Sequence, residues 1–275
     1  MKRTLLATAF AGAMLLSIQV TSAQTPTYRE VFGNTAGGAN ALLSSVGWFG
    51  DWGPTATDSS NPSPNNFGIS SQLGDPQNLD DINGYGGPSG PPAISTANGL
   101  LFTSGTGAAL NNWIAYTTVT TGITSINDIS FYAGSAADAD GVVPGFRIAV
   151  QIDGNWYAST QVLGNTVGVS SAANFNSQAV QVDFTWTTAA SAWDNLSFTP
   201  GTTLALGGTL TSALPGDPVT AFGLYTDATD SLGNAVTATR RADTYQINTV
   251  PEPGSVVLAL FGVVTLMGLR RFGKA

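Results

Sequence analysis

The chain has 275 residues, of which 9% are charged, with 33 Gly, 14 Pro, a formal net charge of -8 at pH 7 and neither histidine nor cysteine. Without those two side chains there is no Ser-His-Asp or Cys-His arrangement, no imidazole or thiolate zinc site and no disulfide. Five of the nine basic residues, Lys2, Arg3, Arg270, Arg271 and Lys274, sit in the terminal segments; the acidic stretch between them is a poor partner for nucleic acid.

The first segment has the three parts of a secretory signal. Lys2 and Arg3 form a charged start, Leu5 to Val20 an apolar run, and Thr21, Ser22 and Ala23 a small-residue end. Cleavage between Ala23 and Gln24 by signal peptidase is the expectation, with residues 1–23 as a signal helix and 24–249 as the passenger. About 225 residues remain, enough for one β-sandwich with its own core.

Along the passenger the apolar period is two, the strand signal. Strands are predicted over Thr27 to Phe32, Leu43 to Trp48, Gly99 to Thr103, Trp113 to Val119, Ile126 to Ala133 and Phe146 to Ile152. Asp153 and Gly154 then supply a hairpin turn into Trp156 to Leu163. Val180, Val182, Phe184 and Trp186 alternate with polar residues and predict one buried face. Thr202 to Leu206, Thr220 to Thr226 and Asp243 to Thr249 complete the set. About ten strands with short Gly- and Asn-rich turns predict an all-β fold, an antiparallel sandwich of jelly-roll or lectin-like type. Its first and last strands are expected to pair, with Val31 and Ile247 facing the core. Residues 50–97 hold most of the prolines and read as a long loop.

Three features carry possible chemistry. Asp138 and Asp140, followed by Gly141, alternate as calcium-loop carboxylates do, but Val142 stands where a third ligand belongs and a solvated turn is the favoured reading. Asp227, Asp230 and Asn234 form a weaker oxygen-rich loop. Trp52, Tyr85, Trp156 and Tyr157 are candidates for stacking on sugar rings, with core or loop packing as the alternative; Trp156 and Tyr157 face opposite sides of one strand. A carboxylate pair for glycosidic cleavage would have to draw on Glu30 and the aspartates, and Glu30 lies on a strand at the domain's start.

The last segment, 250–275, begins Val250, Pro251, Glu252, Pro253, Gly254. The two prolines keep the chain extended across the acid. An apolar stretch follows over 255–269, about 23 Å if helical and short for a hydrocarbon core of about 30 Å. Arg270, Arg271 and Lys274, within the basic end at 270–274, would hold that side in the cytoplasm.

This segment resembles the PEP-CTERM sorting signal: a Pro-Glu-Pro motif, a single short hydrophobic helix and an arginine-rich end, covering 26 of the 275 residues. The resemblance implies recognition by an exosortase, with Pro251, Glu252 and Pro253 as the motif and Arg270 and Arg271 as the cytoplasmic stop. It also implies transient residence in the inner membrane, processing near the motif and delivery to the cell surface or an extracellular polysaccharide matrix. The expectation is a non-catalytic exported protein without a required cofactor, calcium being the one candidate ion. A carbohydrate-binding module is the second reading and a polysaccharide-cleaving enzyme the third.

Overall fold

The fold follows from the alternation of apolar and polar residues, and the computed structural model places it in fourteen strands. It describes residues 27–30, 32, 42–53, 57–58, 67–69, 100–103, 112–169, 175–216, 218–229, 231–234, 236 and 238–250. In chain order the strands are β1 (Tyr28–Glu30), β2 (Phe49–Gly53), β3 (Thr57–Asp58), β4 (Phe67–Ile69), β5 (Leu101–Thr103), β6 (Asn112–Ile123) and β7 (Ile126–Ala133). The rest are β8 (Arg147–Ile152), β9 (Asn155–Ser159), β10 (Val180–Thr185), β11 (Trp193–Thr199), β12 (Thr203–Thr209), β13 (Val219–Thr226) and β14 (Arg240–Thr249). Among the described residues no helix is long and apolar enough to cross a membrane.

All strand pairings are antiparallel. One sheet runs β10-β7-β14-β5-β4, with β1 also on β14; the other runs β12-β11-β9-β8-β13-β6-β2-β3. Asp153 and Gly154, at φ 50° and 75°, make the tight turn that joins β8 to β9, as the Asp-Gly pair predicts. β1 pairs with β14, Tyr28 opposite Ile247 and Glu30 opposite Tyr245, so the first and last strands lie side by side. Ile247 is fully buried, while Val31 lies outside the described residues.

The facing sides of the sheets enclose the main core. Phe131, Phe184, Tyr245 and Ile247 meet Ile148, Val150, Phe222 and Leu224 there. The Phe222 and Tyr245 rings stack at 5.8 Å with an interplanar angle of 2°. The other face of the larger sheet is apolar too, because that sheet curls until β12 touches β2 and β6. Tyr116, Trp156 and Phe198 fill the curl with ring centroids 5.2–5.3 Å apart. The Gly201 N–H of the β11–β12 turn donates to Asp51 Oδ1 on β2 at 3.4 Å, across the same curl.

The structure departs from the sequence reading in several places. Leu43–Val46 is a 3-10 turn rather than a strand. Gly47 adopts φ 75° and the Trp48 N–H closes back on the Leu43 carbonyl at 3.1 Å, so the extended chain begins at Phe49. β11 was not predicted, although Leu196 and Phe198, buried between exposed Asn195, Ser197 and Thr199, carry the period-two pattern. The predicted buried stripe holds at Phe184, 2% exposed; Val182 and Trp186 are partly buried against the core. Val180 is 46% exposed, because β10 is an edge strand and Val180 begins it. The long segment at 50–97 contributes the end of β2, β3 and β4; its other residues lie outside those described, as do the signal segment 1–23 and the tail 251–275.

Candidate functional site

Asp138 and Asp140 lie in the connection from β7 to β8, and their carboxylates are engaged within the protein. Asp138 Oδ1 accepts from the Ala238 N–H at 2.7 Å. Asp140 Oδ1 accepts from the Val142 N–H at 3.2 Å and Oδ2 from the Asn234 amide at 2.6 Å. These bonds tie the β7–β8 connection to the segment before β14. Among the described residues no group of three or more acids gathers to hold a metal ion. Asp230 lies outside the described residues, and Asp227 turns to an arginine instead.

The aromatic candidates divide by face. Trp156 points into the curl of the larger sheet and Tyr157 into the main core, at 7% and 8% exposed. Opposite orientation within one strand is as predicted, but neither ring presents an open face for a sugar, because the curl supplies a second apolar interior where a flat sheet would leave one side wet. Trp52 lies on β2 in register with Trp113 on β6. Tyr85 lies outside the described residues. Glu30 Oε1 accepts from the Phe32 N–H at 2.7 Å at the end of β1.

The site that sequence reasoning missed is built on two arginines. Arg147 begins β8, Arg240 begins β14 and Asp227 follows β13, three neighbouring strand ends from two sheets. Arg147 Nε donates to Asp227 Oδ2 at 2.7 Å, and its Nη1 donates to the carbonyls of Ser159 and Thr160 at 2.8 and 2.9 Å. The same Nη1 stands 3.6 Å from Asp194 Oδ2. Arg240 Nη2 donates to the Asp227 carbonyl, while its Nε, fully buried, meets no acceptor among the described residues. Burial pushes the Arg240 guanidinium down to about 10, against the opposing pull of Asp227 and Asp138. Tyr225 stands in the same field. Burial, and then the Asp227 charge, raise its phenol far above the usual tyrosine range.

Arg147, Asp227 and Arg240 line a cavity of about 310 Å³. Asn165, Thr229 and Ser231 add neutral polar groups and Val143, Pro144 and Val162 an apolar wall. Asp227 is the one carboxylate among these lining residues and is held by Arg147, so the site has donors for an anion but no pair of acids for proton transfer. Two signals pointed here: only four arginines and no lysine lie between residues 24 and 249, and Arg147 interrupts an apolar strand.

No protein-family model and no curated protein matches the chain. Among solved structures the chain is similar to CtCBM11, at 13% identity and a TM-score of 0.38, covering 85% of this chain and 100% of that one. It is similar also to the K2 cleaved adhesin domain of Lys-gingipain, at 12% identity and a TM-score of 0.37 over 82% of this chain and 98% of that one. The K1 cleaved adhesin domain from Porphyromonas gingivalis W83 aligns over the same shares at 14% identity and a TM-score of 0.31.

Proposed function

We propose that this chain is an exported, non-catalytic protein of the cell surface or extracellular matrix, delivered by a PEP-CTERM and exosortase-type route. The observation that carries the reading is the order of residues at the carboxyl end: Pro251, Glu252 and Pro253, then a short apolar run, then Arg270 and Arg271. Signal peptidase would cut between Ala23 and Gln24, exosortase near the Pro-Glu-Pro motif, and the inner membrane would hold the chain only in transit.

The geometry of the passenger supports the route. The Thr27 hydroxyl lies 2.6 Å from that of Thr249, and the Thr27 N–H donates to the Ile247 carbonyl at 2.8 Å. The chain therefore enters and leaves the sandwich at one place, and such a domain folds while still tethered by its tail. The non-catalytic part rests on the missing His and Cys and on Asp227 being bound to Arg147. We read the sandwich as lectin-like, with matrix polysaccharide as its surroundings. Burial of Trp156 and Tyr157 weighs against contact through those two rings.

Intact mass of the protein recovered from envelope and medium tests the reading. The expected species begins near Gln24, ends within Pro251 to Pro253 and is found outside the inner membrane. A final surface form that retains Leu258 to Leu269 would overturn it in favour of a permanent anchor.

A further inference from the structure

We propose that the cavity at the strand ends binds the carboxylate of a small, hydroxyl-rich acid, the chemistry of a uronate ring. The cavity lies between residues 142 and 240, so the inference stands apart from whether the terminal segments direct export.

The argument begins with the buried donor. Arg240 is 4% exposed and lines the cavity, yet its Nε–H has no acceptor among the described residues. Buried donors are almost always paired, so an unpaired guanidinium N–H at a cavity calls for an oxygen from outside the chain. Charge points the same way. Three aspartates surround the two arginines, but each is already engaged. Asp227 Oδ2 takes the Arg147 Nε–H, Asp194 Oδ1 takes the Thr209 hydroxyl at 2.7 Å, and Asp138 Oδ1 takes the Ala238 N–H. Burial still outweighs their pull on Arg240, so its charge is under-compensated where it stands. A single carboxylate supplies both the acceptor and the missing charge.

The remaining lining selects the rest of the ligand. Asn165, Thr229 and Ser231 offer neutral donors and acceptors, which suit hydroxyls, and Val143, Pro144 and Val162 suit the C–H edge of a ring. A phosphate dianion fits less well, because Asp227 shares the cavity and would repel its second charge. A neutral sugar leaves the Arg240 charge as it was.

Calorimetric titration of the full-length chain in detergent micelles separates these ligands, with glucuronate, glucose and inorganic phosphate as probes. Saturable one-site binding of glucuronate is expected, with glucose and phosphate at least about tenfold weaker. Asn165→Trp and Ser231→Trp, both at exposed lining positions outside the ion pairs, should each weaken glucuronate by at least about tenfold while near-ultraviolet circular dichroism stays unchanged. Arg240→Lys, which keeps the charge but loses the Nε donor, should weaken it by a similar factor. No binding of glucuronate by the unmodified chain, equal binding of glucose or phosphate, or undiminished binding by both folded tryptophan variants would each overturn the proposal.

Discussion

At the scale of single residues, exposure decides what a side chain is worth. Phe184 and Thr185 are neighbours on β10, yet Phe184 is 2% exposed with its ring 5.3 Å from Trp193, and Thr185 faces solvent. Phe184→Ala should cost about 3–5 kcal/mol, because it empties a packed site between the sheets. Thr185→Ala should cost under about 1 kcal/mol, having no cavity to leave. Chemical denaturation of the two variants measures the difference, and equal stabilities would remove Phe184 from the core. Period-two alternation was enough to separate these two residues in the sequence. It did not grade the stripe, because whether Val180 is covered depends on its strand lying at an edge.

At the scale of elements, close approach of strands sets the constraints. Gly223 lies in β13 between Tyr116 of β6 and Ala149 of β8. A Cβ there would press on the Ala115 carbonyl oxygen and lie 2.7 Å from Tyr116 Cα, both backbone atoms of β6. Gly223→Ala should therefore part β13 from β6 and cost about 3 kcal/mol or more, read as a lowered denaturation midpoint. A variant as stable as the parent would mean that the two strands are further apart. The pairing of β1 with β14 has its own test. Thr27→Cys with Thr249→Cys should form a disulfide on mild oxidation, since the two hydroxyls are 2.6 Å apart, and the crosslink should raise stability by up to about 5 kcal/mol. Failure to crosslink in folded protein would separate the chain ends.

At the scale of the whole molecule, buried phenols make stability depend on alkaline pH. Burial raises Tyr28 to about 12, and Tyr225 and Tyr245 shift upward for the same first cause. An unfolded tyrosine ionises near 10, so above that pH the unfolded chain has released protons that the folded chain still holds, and stability falls as pH rises from about 10 towards 12. Arg240 and Arg241 are lowered by burial and act in the opposite sense, since the folded state gives up those protons first. Three tyrosines outnumber two arginines, and the expected result is a lower melting temperature at about pH 11 than at about pH 9. A melting temperature that holds or rises over that interval would contradict the burial of the three phenols.

What the sequence by itself determined is whatever rests on local chemistry. Alternation in Phe146 to Ile152, the Asp153-Gly154 turn and the missing histidine and cysteine defined an antiparallel β protein without familiar hydrolase chemistry, and the pairing of its two end strands was also anticipated. The terminal segments were likewise legible, because a charged start, an apolar run and a Pro-Glu-Pro motif are contiguous patterns. Only the tertiary structure decided which apolar faces are inside. Trp156 is buried because the larger sheet curls on itself, a curvature set by contacts of β12 with β2 and β6 that are far apart in the chain. The cavity was equally out of reach. Arg147, Asp227 and Arg240 meet through the order of strands in two sheets, and that order is a property of the packed whole rather than of any short run of residues.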